Sequence, residues 1–149
     1  MIDSRQKGAT AETKARDELR RLTGLKWERV PGSGALDPKH QLKGDLYVVQ
    51  EKNLYCVEVK HYKDDQVSTA LFTGKSPTLF EWWNQCTRQA KQVDKKPLLI
   101  FKHDRSKFFV AYDTPVPGCN AMKIYVDKVH FNISLLTDWV AAEIPEFIA

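Results

Sequence analysis

The run GDLYVVQEKNLYCVEVKHYK, residues 44 to 63, constrains this chain more than any other stretch. Two groups of β-formers flank the polar turn Gln50-Glu51-Lys52-Asn53, the pattern of two antiparallel strands. Alternate residues of a strand share a face, so Tyr55, Val57 and Val59 point one way while Leu54, Cys56, Glu58 and Lys60 point the other. The first face is apolar throughout; the second turns charged halfway along. A turn near Lys52 sets Asp45 opposite residues 58 to 60, so three charges converge at one end of the sheet.

Two neighbouring carboxylates are costly to bury unless a cation or hydrogen bonds compensate them. Lys60 supplies part of that compensation as an ion pair. A divalent metal supplies more: Mg²⁺ takes hard oxygen ligands, typically one or two carboxylates, and leaves its other positions to water and substrate phosphate. Two carboxylates and a lysine make a workable phosphodiester hydrolysis site, in which the metal polarises the phosphate and the ammonium orients the attacking water. The competing reading is a half-exposed strand whose charges are solvated.

A chain of 149 residues is long enough to bury a core as one domain, residues 1–149. Cys56, Cys86 and Cys119 are far apart with no C-x-x-C pair, and no apolar leader precedes them, which predicts a reducing, cytoplasmic setting. No apolar stretch approaches the roughly 20 residues of a membrane span. The formal charge is +4, and all of it lies in residues 1 to 63, with 13 Lys/Arg against 9 Asp/Glu. That asymmetry suits a polyanionic partner, and equally a solvated basic surface.

Ala11, Ala15, Leu19 and Leu22 at helical spacing predict a helix over Gln6 to Thr23, ended by Gly24. Leu25 to Val30 reads as a short strand, Pro31-Gly32-Ser33-Gly34 as a turn, and Asp37 to Gly44 as a loop. After a polar segment from His61 to Lys75, Thr78-Leu79-Phe80-Glu81 has the form of a capping box opening a second helix through Val93. Pro97 to Phe101 reads as a buried strand with Phe108 to Tyr112 beside it. Met122 to Val126 and Val129 to Ile133 read as further strands, and Ser134 as the cap of a last helix through Ala142. This order predicts an α/β domain with a mixed central β-sheet flanked by α-helices.

Gly44-Asp45, then twelve residues, then Glu58-Val59-Lys60 resembles the core of the PD-(D/E)XK nuclease superfamily, which implies a restriction-endonuclease-like fold. Upstream, Lys7 to Glu12 opening a helix and Arg29-Val30-Pro31-Gly32-Ser33-Gly34-Ala35 before a basic loop resemble the archaeal-type Holliday junction resolvases. The resemblance spans residues 7 to 63. It implies a homodimer that cuts four-way, branched DNA, with Asp45, Glu58 and the Val59 carbonyl on Mg²⁺, or Mn²⁺ in its place. It further implies that Glu12 completes the metal site, that Lys60 assists catalysis, and that Arg29 and Ser33 serve the site or its DNA. Gly44 stands where the superfamily usually has Pro, a change that a strand start is expected to tolerate. The chain after Asp113 lies outside the resemblance.

Helix geometry leaves Glu12 and Glu18 open as the third acid, one on each flank of the apolar stripe; the spacing after Gly8 in the resembling family favours Glu12. Gln89 lies nearer the second helix's stripe than Gln85, although a wet helix face suits either. Trp82 and Trp83 suit base stacking, a dimer interface or the core. Arg29, Lys39, Lys43 and Lys63 surround the triplet and are expected at phosphates, which position DNA without reading its sequence. No two histidines have zinc-ligand spacing. Two other readings stand beside junction cleavage: a repair or restriction-like nuclease acting on other DNA, and a non-catalytic DNA-binding protein of the same fold.

Overall fold

The computed structural model describes residues 4–31, 43–63, 77–126, 128–143 and 146–149. Its first element, helix α1 (Ser4–Thr23), buries Ala11, Ala15 and Leu19, the stripe that the sequence spaces at three and four residues. Thr23 and Gly24 end it. Gly24 takes φ +73°, and its amide donates to Arg20 O at 2.9 Å, a glycine C-cap.

Strands β1 (Trp27–Arg29), β2 (Leu46–Val48), β3 (Tyr55–Tyr62), β4 (Lys96–His103), β5 (Phe109–Tyr112), β6 (Met122–Val126) and β7 (Val129–Leu135) form one mixed sheet. Their order is β1-β2-β3-β4-β5-β7-β6. Only β3 and β4 run parallel, paired from Tyr55↔Lys96 to Tyr62↔His103. Helix α2 (Pro77–Gln92) makes the crossover between them, as a parallel pair requires. Helix α3 (Leu136–Glu143) follows β7 directly.

Both faces of the sheet are covered, which explains why the central strands read as continuous apolar runs. On one face α1 and α3 pack over Val57, Val59, Leu98, Ile100, Val110 and Tyr112. On the other α2 places Leu79, Trp83 and Cys86 on Leu99, Phe101 and Ala111, with Phe131 and Ile133 of β7. Full burial of each such aliphatic side chain stabilises by about 1.5–3 kcal/mol. The C-terminal residues close the far end: Phe147 packs edge-on against Trp27 and Trp139, and Leu54 N donates to Phe147 O at 3.0 Å.

Two expected caps are placed differently. Helix α2 begins at Pro77, a favoured first helical residue with its φ already set, so Thr78 lies inside the first turn. Ser134 remains in β7; its hydroxyl is shared with Tyr112 Oη at 2.8 Å and donates to Asn120 O at 2.7 Å. Helix α3 therefore starts straight from the strand, without a Ser134 cap. No helix among the described residues is long and apolar enough to cross a membrane.

Candidate active site

The site forms where β2 departs from β3. Leu46↔Val57 is the registered pair between these strands. Asp45 N donates to Val57 O at 2.6 Å, and beyond it the ladder is continued by a side chain: Val59 N donates to Asp45 Oδ2 at 2.7 Å. The carboxylate thus takes an amide that a neighbouring strand would otherwise occupy. Asp45 O also accepts from Val30 N at 2.8 Å, so β1, β2 and β3 all fix this one residue.

Gly44 makes the departure possible. Its φ is +85°, and a Cβ there would lie 2.5 Å from Val57 O. Proline holds φ near −65° and L-residues avoid this region, so the expected tolerance of either residue at this strand start does not hold in this conformation.

Glu58 leaves β3 on the α2 side and is 4% exposed. Burial raises its pKa; its hydrogen bond with Asp45 and the positive charge of Lys60 act in the opposite direction. Burial, and then the charge of Glu58, push Asp45 up to about 7, although the Val59 amide favours its ionised form. Glu12, on the inner flank of α1, is also raised by burial and by Asp45, against the Arg29 guanidinium, whose Nε donates to Glu12 Oε2 at 2.9 Å. Asp45 is within hydrogen-bonding reach of both glutamates. The three carboxyls therefore share one electrostatic neighbourhood, with Asp45 coupled to both glutamates and Glu58 also to Glu12. Glu18, on the other flank of the stripe, pairs with Arg21 instead, so Glu12 is the α1 glutamate that interacts with Asp45.

Lys60 lies two residues beyond Glu58 on the same face and opens onto a cleft of about 440 Å³, shared with Glu81, Trp82, Asn84, Gln85 and Arg88 of α2. Gln85, rather than Gln89, is the glutamine in this cleft. Trp83 is in the core at 4% exposure, whereas Trp82 is half-buried and its ring meets Tyr62 at 5.6 Å. The sequence reading missed Tyr62, although it continues the Glu58–Lys60 alternation by one step. Lys43 and Lys63 are exposed near the two ends of the site segments. Ser33 and Lys39 lie outside the described residues.

Among the described residues, no three His, Cys, Asp or Glu side chains form a metal-chelating cluster. The pair Asp45 and Glu58 nevertheless fits a hard cation: its donors are oxygens, and burial leaves its negative charge under-compensated, as the upward shifts record. Behind Glu58, burial pushes Cys56 up to about 12 and Cys86 well above its ordinary value, so both rest as neutral thiols.

Residues 3–143 match the family described as "Phage putative PDDEXK endonuclease". The chain belongs to this PDDEXK endonuclease family. It is a nuclease by family, and the match reaches through the segment after Asp113 that the sequence resemblance left out. The splayed β2–β3 pair brings together Gly44-Asp45 and Glu58-Val59-Lys60, the two stretches that carry the sequence resemblance. The chain is 50% identical over 119 residues to Protein D14 of Escherichia phage T5, covering 78% of this chain and 74% of that protein. A solved structure of Hjc, a Holliday junction resolvase of Archaeoglobus fulgidus, aligns with TM-score 0.44 and 16% identity over 89% of this chain and 93% of that one.

Proposed function

We propose that this nuclease is a Mg²⁺-dependent endonuclease that cuts four-way DNA junctions by paired, symmetric phosphodiester hydrolysis, working as a homodimer. The observation that carries the hydrolytic part is the Asp45 carboxylate pinned on the Val59 amide beside buried Glu58, with Lys60 opening from the same face. Junction choice rests on the sequence resemblance of residues 7 to 63 to archaeal-type resolvases.

Asp45, Glu58 and the Val59 carbonyl would hold the metal, and Glu12 would join them directly or through water. When bound, the metal polarises the scissile phosphate and acidifies a water. Lys60 orients the attacking water and offsets charge that develops on the phosphate. Arg29 holds Glu12 toward Asp45 through its Nε, and its half-exposed guanidinium has further donors for the DNA backbone. Lys43 and Lys63, with Ser33 and Lys39, bind neighbouring phosphates. Two symmetric sites suit two symmetric nicks.

The test incubates the protein with end-labelled four-way junction, linear duplex and flap DNA, with and without Mg²⁺. Paired nicks across the branch point, dependent on Mg²⁺, are expected. Equal cutting of all three DNAs would overturn junction selectivity, and binding without any cutting would overturn the hydrolytic reading.

A further inference from the structure

We propose that Tyr62 and Trp82 form a stacking platform for an unpaired nucleobase beside the scissile phosphate, so that the site favours strands leaving a duplex over continuous duplex. The proposal rests on the nuclease reading above and adds the local feature of DNA that the site recognises.

Strand alternation puts Glu58, Lys60 and Tyr62 on one face of β3, each step about 6.6 Å from the last. Exposure rises along this line: Glu58 is buried, Lys60 half-buried, and Tyr62 48% exposed. Tyr62 is one of three large hydrophobic side chains so exposed among the described residues, and the one of them on the strand that carries Glu58 and Lys60. Its ring meets Trp82 at 5.6 Å and 57°. Trp82 in turn packs on the core cluster beneath α2. The platform is therefore anchored on its inner side and open on its outer side.

The cleft next to it has the chemistry of a nucleotide. Its volume of about 440 Å³ is in the range of pockets that enclose small ligands. Lys60 and Arg88 supply two cations against the single carboxylate of Glu81, a net positive lining that suits a phosphate. Asn84 and Gln85 present amides that both donate and accept, and Glu81 accepts from exocyclic amino groups, so base edges find partners without one sequence being required. Trp82, Gln85 and Arg88 are spaced three residues apart, which keeps them on one side of α2. Bases within a duplex are stacked on both sides and offer no ring face to Tyr62. A base at a branch or a single-stranded end does, and such stacking is sequence-tolerant.

The test measures binding by fluorescence anisotropy in EDTA, using a linear duplex, the same duplex carrying a single-stranded flap, and a four-way junction. Wild type should prefer the flap and junction. Tyr62→Ala should lower that preference by about 5- to 100-fold, the scale on which losing one stacked base acts, and Tyr62→Phe should keep it within about twofold of wild type, because the ring rather than the hydroxyl stacks. A 2-aminopurine at the first unpaired nucleotide should be quenched by wild type and Tyr62→Phe, and not by Tyr62→Ala. An unchanged preference and undiminished quenching in Tyr62→Ala would overturn the proposal. Failure of wild type to cut any of these DNAs with Mg²⁺ would overturn the nuclease reading instead, and is read in a separate assay.

Discussion

Asp45 is the residue on which the site turns, because its backbone joins two strands while its side chain holds a third amide in place. Asp45→Asn keeps an acceptor for Val59 N and removes the negative charge. Cleavage should fall by at least about 100-fold, as expected when a group acting on the reacting phosphate is lost, while DNA binding in EDTA persists; unchanged cleavage would refute the role. The same variant tests the electrostatics. A carboxyl whose folded pKa is raised stabilises the fold fully below its ordinary value, here 3.8, and loses that contribution as pH rises through about 7. Metal-free Asp45→Asn should therefore be more stable than wild type at pH 8, with the gap closing toward pH 4. Denaturant melts at both pH values check this. Glu12 and Glu18 offer a paired comparison: Glu12→Gln should reduce cleavage and Glu18→Gln should leave it near wild type. At this scale the sequence was informative about the acids, since charges within an apolar strand stand out. It was silent on which glutamate of α1 turns inward, because both flank the stripe equally and only the Arg29 and Asp45 partners break the tie.

The junction of β2 with β3 is where an element, rather than a side chain, makes the site. Gly44 at φ +85° bends the chain away from β3 so that the Asp45 carboxylate replaces a backbone partner. Gly44→Ala meets both the positive φ and the Val57 carbonyl; it should destabilise by about 1–3 kcal/mol, lowering Tm by on the order of 2–12 °C. Cleavage should fall with it, and a scanning calorimetry trace matching wild type would contradict this account of the strand break. Alternation placed Glu58 and Lys60 on one face, and helical spacing identified the buried sides of α1 and α2. The conformation of Gly44 was not legible, because a glycine before a strand marks only permission, and the close approach that requires it comes from Val57, thirteen residues away. The caps at Thr78 and Ser134 failed for a related reason. Pro77 already satisfies the start of α2, and Ser134 is held in β7 by Tyr112 and Asn120, partners that lie distant in sequence.

The molecule as a whole presents a nuclease sheet extended by β5, β7 and β6, with α3 and the C-terminal residues completing the core beneath α1. This extension was legible as strands and a helix from their apolar runs, but its place in the sheet was not, since local patterns carry no strand order. The homodimer reading predicts twice the chain mass by light scattering at working concentration, and a monomer that nicks junctions singly would contradict it. Replacing Lys43 or Lys63 with Ala should weaken binding to all DNA forms alike and lower the salt slope of log K by about 0.9 for each phosphate that is no longer neutralised. The central claim, that Asp45 and Glu58 together hold a hard divalent cation, is tested most directly by calorimetric titration of the DNA-free protein with Mn²⁺ at pH 6.5. Wild type should bind the ion with release of protons, because Asp45 titrates near that pH, and Asp45→Asn and Glu58→Gln should each abolish the binding. Binding of equal affinity and stoichiometry in all three proteins would place the cation elsewhere and contradict the account.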